Sequence, residues 1–156
     1  MYSGSVSSDR FAVHSLGAVA SLDDFGHYAD SALALARSTF GQASTEDNIV
    51  KVMIGDFVAL ATDLRNDTVA GMTILTMSTA AEFAQANINI ERWDHLAPDA
   101  AVAHLQVTVT DPDARGLGLY RELNRLRFEQ ILDRSIRFVI TTTQNPKVEL
   151  DYPHRS

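Results

Sequence analysis

The stretch from His104 to Tyr120, His-Leu-Gln-Val-Thr-Val-Thr-Asp-Pro-Asp-Ala-Arg-Gly-Leu-Gly-Leu-Tyr, reads as a strand, a tight turn carrying Gly116 and Gly118, and the start of a helix. That order presents main-chain amides to a phosphate. The first-turn N–H groups of a helix have no intrahelical partner, and the positive end of the helix dipole adds to their pull on an anion. Gly116 and Gly118 keep side chains out of the approach. The strand itself, Ala101 to Thr110, alternates in polarity. Ala101, Ala103, Leu105, Val107 and Val109 are expected on one packed face, and Val102, His104, Gln106, Thr108 and Thr110 on the other, open to chemistry.

Outward from this stretch, Gly116 to Arg134 carries Leu119, Leu123 and Leu126 at helical spacing, and Ile136 to Thr143 is a β-rich run with Phe138, Val139 and Ile140. A strand–helix–strand unit implies a parallel pair joined by a right-handed crossover. Upstream, Arg10 to Ala20 reads as a first strand. Ser21, followed by Asp23 and Asp24, caps one long amphipathic helix reaching Phe40, and Thr45 caps a shorter one ending near Gly55. Phe57 to Thr62 and Val69 to Met77 flank the turn Leu64-Arg65-Asn66-Asp67 as a hairpin. Ser78 to Pro98 is an excursion with helical composition over Ala80 to Ala86. The fold class is therefore mixed α/β, with N-terminal antiparallel strands joined to a parallel strand–helix–strand unit. Residues 1–9 are small and polar and read as a loose tail, leaving 10–156 as a single domain.

Composition narrows the function classes. With 156 residues and 46% apolar content the chain supports one core. A formal charge of −7 with no basic stripe argues against nucleic acid as a partner, and favours a cationic small acceptor or simply keeps the surface soluble. Cysteine is absent, which removes disulfides and thiolate nucleophiles and fits a reducing compartment. No apolar run approaches membrane-spanning length, and the N-terminus lacks a signal-peptide pattern, so a cytoplasmic protein without membrane association is expected. The histidines share no ligand spacing and no metal is expected. Neither a dinucleotide nor a Walker fingerprint is present, and no serine-hydrolase elbow.

Arg115-Gly116-Leu117-Gly118-Leu119 resembles the acyl-CoA pyrophosphate loop of the GCN5-related N-acetyltransferase superfamily, whose pattern is Gln/Arg-x-x-Gly-x-Gly/Ala after a central strand. Asn145, Val148 and Tyr152 are similar to a second family spacing, Asn-x-x-Ala-x-x-x-Tyr. The resemblance covers about residues 10 to 152 and implies acetyl-CoA, or another acyl-CoA, as cosubstrate. It implies that the backbone from Val107 through Val109 to Thr110 receives the pantetheine arm as an added strand would. The pyrophosphate would lie on the amides of Arg115, Gly116, Leu117, Gly118, Leu119 and Tyr120. Tyr120 stands where the family prefers Gly or Ala, so its ring must point away from the phosphates. Asn145 would hydrogen-bond the pantetheine and Tyr152 would protonate the departing thiolate. Family members continue through a further helix and a terminal β-pair, which implies that another chain supplies those elements, that Ser78 to Pro98 substitutes for them, or that catalysis has been lost.

His104, on the polar face of the central strand, reads either as the base that takes a proton from an attacking amine or as a hydrogen-bonded histidine of the cleft. Trp93 and Asp94, with Glu91, Arg92 and His95, read either as an acceptor pocket or as a surface loop anchored by the indole. Arg121, Arg125 and Arg127 read either as a solvated helix face or, for one of them, as a contact to the adenosine 3′-phosphate of CoA. The expected function is N-acyl transfer from acetyl-CoA to a small primary amine within a ternary complex. The alternatives are a non-catalytic acyl-CoA-binding module and a subunit that completes its sheet as a homo-oligomer.

Overall fold

Hairpin chemistry and strand alternation build one mixed sheet. The computed structural model describes residues 10–41, 44–86 and 97–141. Strands β1 (Phe11–Val19), β2 (Gly55–Asp63), β3 (Thr68–Thr79) and β4 (Ala101–Thr110) pair antiparallel in sequence order, and β5 (Phe138–Thr141) joins the edge of β4 in parallel. This is the expected mixed α/β architecture. Helices α1 (Ala29–Phe40) and α2 (Glu46–Met53) cover one face, where Leu35, Ile49 and Met53 pack against Leu60, Met72 and Ile74. Helix α4 (Leu119–Asp133) covers the other, where Leu119, Leu123 and Ile131 meet Ala59, Leu75 and Leu105. The short α3 (Ala80–Ala86) follows β3. Each fully buried aliphatic side chain on these faces stabilises the fold by roughly 1.5–3 kcal/mol.

Local chemistry sets the element ends. The Asn48 N–H donates to Thr45 Oγ1 at 3.2 Å and caps α2 as expected. The expected single helix from Ser21 to Phe40 is in fact two pieces. A 3-10 segment, Leu22–Tyr28, precedes α1, and Gly26 between them takes φ 61° and ψ −136°, which breaks the helical hydrogen bonding. Asp24 still secures the entry, accepting the N–H of Ala20 at 2.8 Å and of Ser21 at 3.2 Å. At the hairpin, Asp63 accepts from Arg10 Nε at 3.3 Å and Arg65 Nη2 at 3.0 Å, and these cations hold its carboxyl down to about 2. Gly71 gives α4 its close approach, because a Cβ there would sit 2.9 Å from Leu123 Cδ1.

The simple alternation expected along β4 does not hold. Ile74 pairs with Val107 but Leu75 pairs with Leu105, so Gln106 is an extra residue and β4 carries a bulge. A one-residue slip exchanges the faces. Ala103 and Leu105 therefore pack under α4, whereas Val109, with Val107 against it, packs on the α1–α2 side. No helix among the described residues is long and apolar enough to cross a membrane.

Candidate functional site

Strands β4 and β5 pair from Val102 to Leu105 on β4 and from Phe138 to Thr141 on β5, where the described residues end. From Gln106 to Thr110, β4 has β3 on one side and no strand on the other among the described residues. Alternate N–H and C=O groups of an unpaired strand edge point outward and can accept an extended ligand. A cleft of about 320 Å³ opens there, between Gln106, Val107 and Thr108 of β4 and Tyr120, Asn124 and Arg127 of α4.

At the C-terminal end of β4 the chain makes a 3-10 turn, Pro112–Ala114, capped by Asp111, whose side chain accepts the Asp113 N–H at 2.9 Å. The turn through Arg115 to Gly118 follows. Gly116 and Gly118 both adopt left-handed backbone, φ 81° and 82°, and α4 starts at Leu119 rather than at Gly116. A Cβ at Gly116 would meet nothing within 4 Å, so the space over the turn is open. The first-turn amides of α4, which have no intrahelical partner, follow directly on this turn. The side chain of Arg115 is exposed, and Leu117 packs against the α4-side core. Tyr120 is exposed and its side chain forms part of the cleft wall.

Beneath the cleft runs a polar network. The hydroxyls of Thr73 and Thr108 share a hydrogen at 2.6 Å, and Thr108 Oγ1 donates to Asn124 Oδ1 at 3.1 Å. Arg127 Nη2 donates to the same Asn124 oxygen, and Arg127 Nη1 donates to the carbonyls of Ile74 at 3.1 Å and Val107 at 3.2 Å. The expected solvated face is thus corrected at Arg127, which is only 5% exposed. Loss of hydration pushes its pKa down to about 10, with the Tyr120 phenol opposing the fall. The sequence did hold a signal. Leu119, Leu123, Arg127 and Ile131 fall at four-residue intervals along the buried stripe of α4.

His104 lies two residues before the bulge, on the face of β4 opposite Leu105, and its ring meets Phe83 of α3 edge-on at 5.4 Å between centroids. It is half-buried, and desolvation, joined by the Arg127 charge, lowers its pKa below 6.5. It is not among the residues lining the cleft. The link across the sheet is Gln106, whose Nε2 donates to the Lys51 carbonyl at 3.1 Å. Gln106 borders both the β4–β5 cleft and a second one of about 440 Å³ bounded by Asp24, Lys51, Ile54, Asp56 and Thr76. Asn145 and Tyr152, and the cluster from Glu91 to His95 with Trp93, lie outside the described residues. Among the described residues no group of three or more His, Asp or Glu side chains is placed to hold a metal ion.

No protein family and no curated protein matches the chain by sequence. Solved structures match it by shape. An acetyltransferase from Trypanosoma brucei superimposes with a TM-score of 0.55 at 14% identity, over 90% of this chain and 87% of that one. The glucosamine-6-phosphate N-acetyltransferase of Arabidopsis thaliana gives 0.56 at 12% identity, over 94% and 91%. An aminoglycoside N-acetyltransferase solved with CoA gives 0.58 at 10% identity, over 93% and 84%. The chain has the fold of the GCN5-related N-acetyltransferases.

Proposed function

We propose that the protein is an acyl-CoA-dependent N-acyltransferase that moves an acyl group, from acetyl-CoA or another acyl-CoA, to a small primary amine by direct attack in a ternary complex. The observation that carries this reading is the left-handed turn at Gly116 and Gly118 between β4 and α4, with the cleft bounded by Gln106, Val107 and Thr108 of β4 beside α4. The extended arm of the donor lies along Val107 to Thr110 and its pyrophosphate on the amides from Arg115 to Tyr120. The arm is held by the strand edge and the phosphates by the helix start, so both recognition elements come from one continuous segment.

The acceptor enters from the cleft on the other side of Gln106, where the carboxylates of Asp24 and Asp56 favour a cationic amine. His104, whose lowered pKa keeps it neutral at pH 7, takes the amine proton. The amine nitrogen then bonds to the thioester carbonyl carbon, the C–S bond breaks, the CoA thiolate takes a proton from Tyr152, and the second proton lost by the amide nitrogen restores the Tyr152 phenol. Thiol release from acetyl-CoA across a panel of primary amines tests this reading. Acceptor-dependent release supports it. CoA binding without release for any amine points instead to an acyl-CoA-binding module.

A further inference from the structure

Among the described residues, a cation in the wall of the cleft has no anion to neutralise it. Arg127 is 95% withdrawn from solvent, and its Nη1 and Nη2 donate only to neutral oxygens, those of Ile74, Val107 and Asn124. Its buried Nε donates to nothing. A guanidinium carries five N–H donors, so these three bonds leave Nε–H and one Nη2–H unspent. Each ion pair among the described residues involves another cation: Arg10, Arg65, Arg125 or His27. Withdrawing a charge from water without a counter-ion is costly, and carbonyl partners offset only part of that cost. Packing alone does not call for a charge here, because Leu119, Leu123 and Ile131 on the same buried stripe are apolar.

The position separates this charge from the phosphate turn. Arg127 lies nine residues along the chain from Gly118, a helical rise of about 13.5 Å. Arg127 therefore stands at the bulge end of the cleft, beside Val107, where the acyl end of an extended donor would arrive. We propose that Arg127 selects an acyl donor whose acyl group itself ends in a carboxylate, such as a malonyl or succinyl thioester. This rests on the acyl-CoA reading above. The ligand carboxylate supplies the missing counter-ion, and a planar guanidinium with spare donors suits its two oxygens. The bonds to Ile74, Val107 and Asn124 hold the guanidinium in place for that pairing.

Calorimetric titration of the full chain with acetyl-, butyryl-, malonyl- and succinyl-CoA tests the proposal. Malonyl- or succinyl-CoA is expected to bind at least tenfold more tightly than butyryl-CoA. Arg127→Met, of similar length and uncharged, is expected to abolish that preference while retaining affinity for butyryl-CoA. Acetyl- or butyryl-CoA binding as tightly as both dicarboxylic thioesters to the unaltered protein overturns it, and this comparison needs no variant to fold. If free CoA and every thioester fail to bind, the acyl-CoA reading itself is wrong and the assignment of Arg127 falls with it.

Discussion

Arg127 donates through Nη1 to the main-chain carbonyl of Val107 at 3.2 Å, tying the helix after the glycine turn to the bulge of the strand before it. The same nitrogen reaches Ile74 O at 3.1 Å, the residue paired with Val107 at the point where the register slips. One side chain thus holds both strands where the cleft opens. Arg127→Ala removes the donor from two carbonyls and leaves a void under α4. It is expected to lower stability by about 1–3 kcal/mol, measured by urea denaturation, with faster amide exchange from Gln106 to Thr108. Unchanged stability and exchange would show that the bulge is held without it.

His104 must be neutral to accept a proton, and burial together with the Arg127 charge depresses its pKa. The limb of the kcat/KM profile that it governs rises with pH, with its midpoint below 6.5, and is flat at neutral pH. His104→Ala is expected to abolish that limb and lower kcat by roughly 10²–10⁴-fold. A profile that keeps the limb in the variant removes His104 from the base role and leaves it as the packing partner of Phe83.

Asp63 contributes stability of a defined pH dependence. Its carboxyl titrates at about 2 in the folded chain against 3.8 when unperturbed, because Arg65 and Arg10 favour the charged form. The folded state therefore binds fewer protons in that interval. The contribution is full above pH 4 and is lost as pH falls through about 2. Asp63→Asn is expected to be less stable than the parent at pH 6, with the gap narrowing toward pH 2 in chemical denaturation. A gap independent of pH would contradict the ion-pair account.

Two glycines make opposite demands. At Gly71 a Cβ would lie 2.9 Å from Leu123 Cδ1 and 3.3 Å from the Val109 carbonyl, so Gly71→Ala is an overpacking change costing about 1–3 kcal/mol. At Gly116 there is space but φ is 81°, so Gly116→Ala is strained by only about 1–2 kcal/mol. Thermal melts of the two variants give the order. A larger loss at Gly116 would reverse this reading of the α4 contact.

Much of the architecture was legible because its signals are local. The Thr45 cap, the turn at residues 64–67 and the glycine pair before α4 each act within a few residues. The bulge at Gln106 was not legible, since it is a property of the pairing with β3 and leaves the polarity pattern of β4 unbroken. The break at Gly26 was hidden by a continuous helical pattern on either side. At the candidate site, the glycine turn was legible as a motif. The network of Thr108, Asn124 and Arg127 was not, because an arginine on a helix is ordinarily solvated and only its place on the Leu119–Leu123–Ile131 stripe argued otherwise.

The most direct test of the central claim is amide NMR of the full chain during titration with CoA. The account predicts saturable shifts concentrated in two segments, Gln106 to Thr110 along the open edge of β4 and Arg115 to Tyr120 around the glycine turn. Shifts centred elsewhere, for example on the α1 face around Ser31 and Ser38, or no shifts at millimolar CoA, would contradict it.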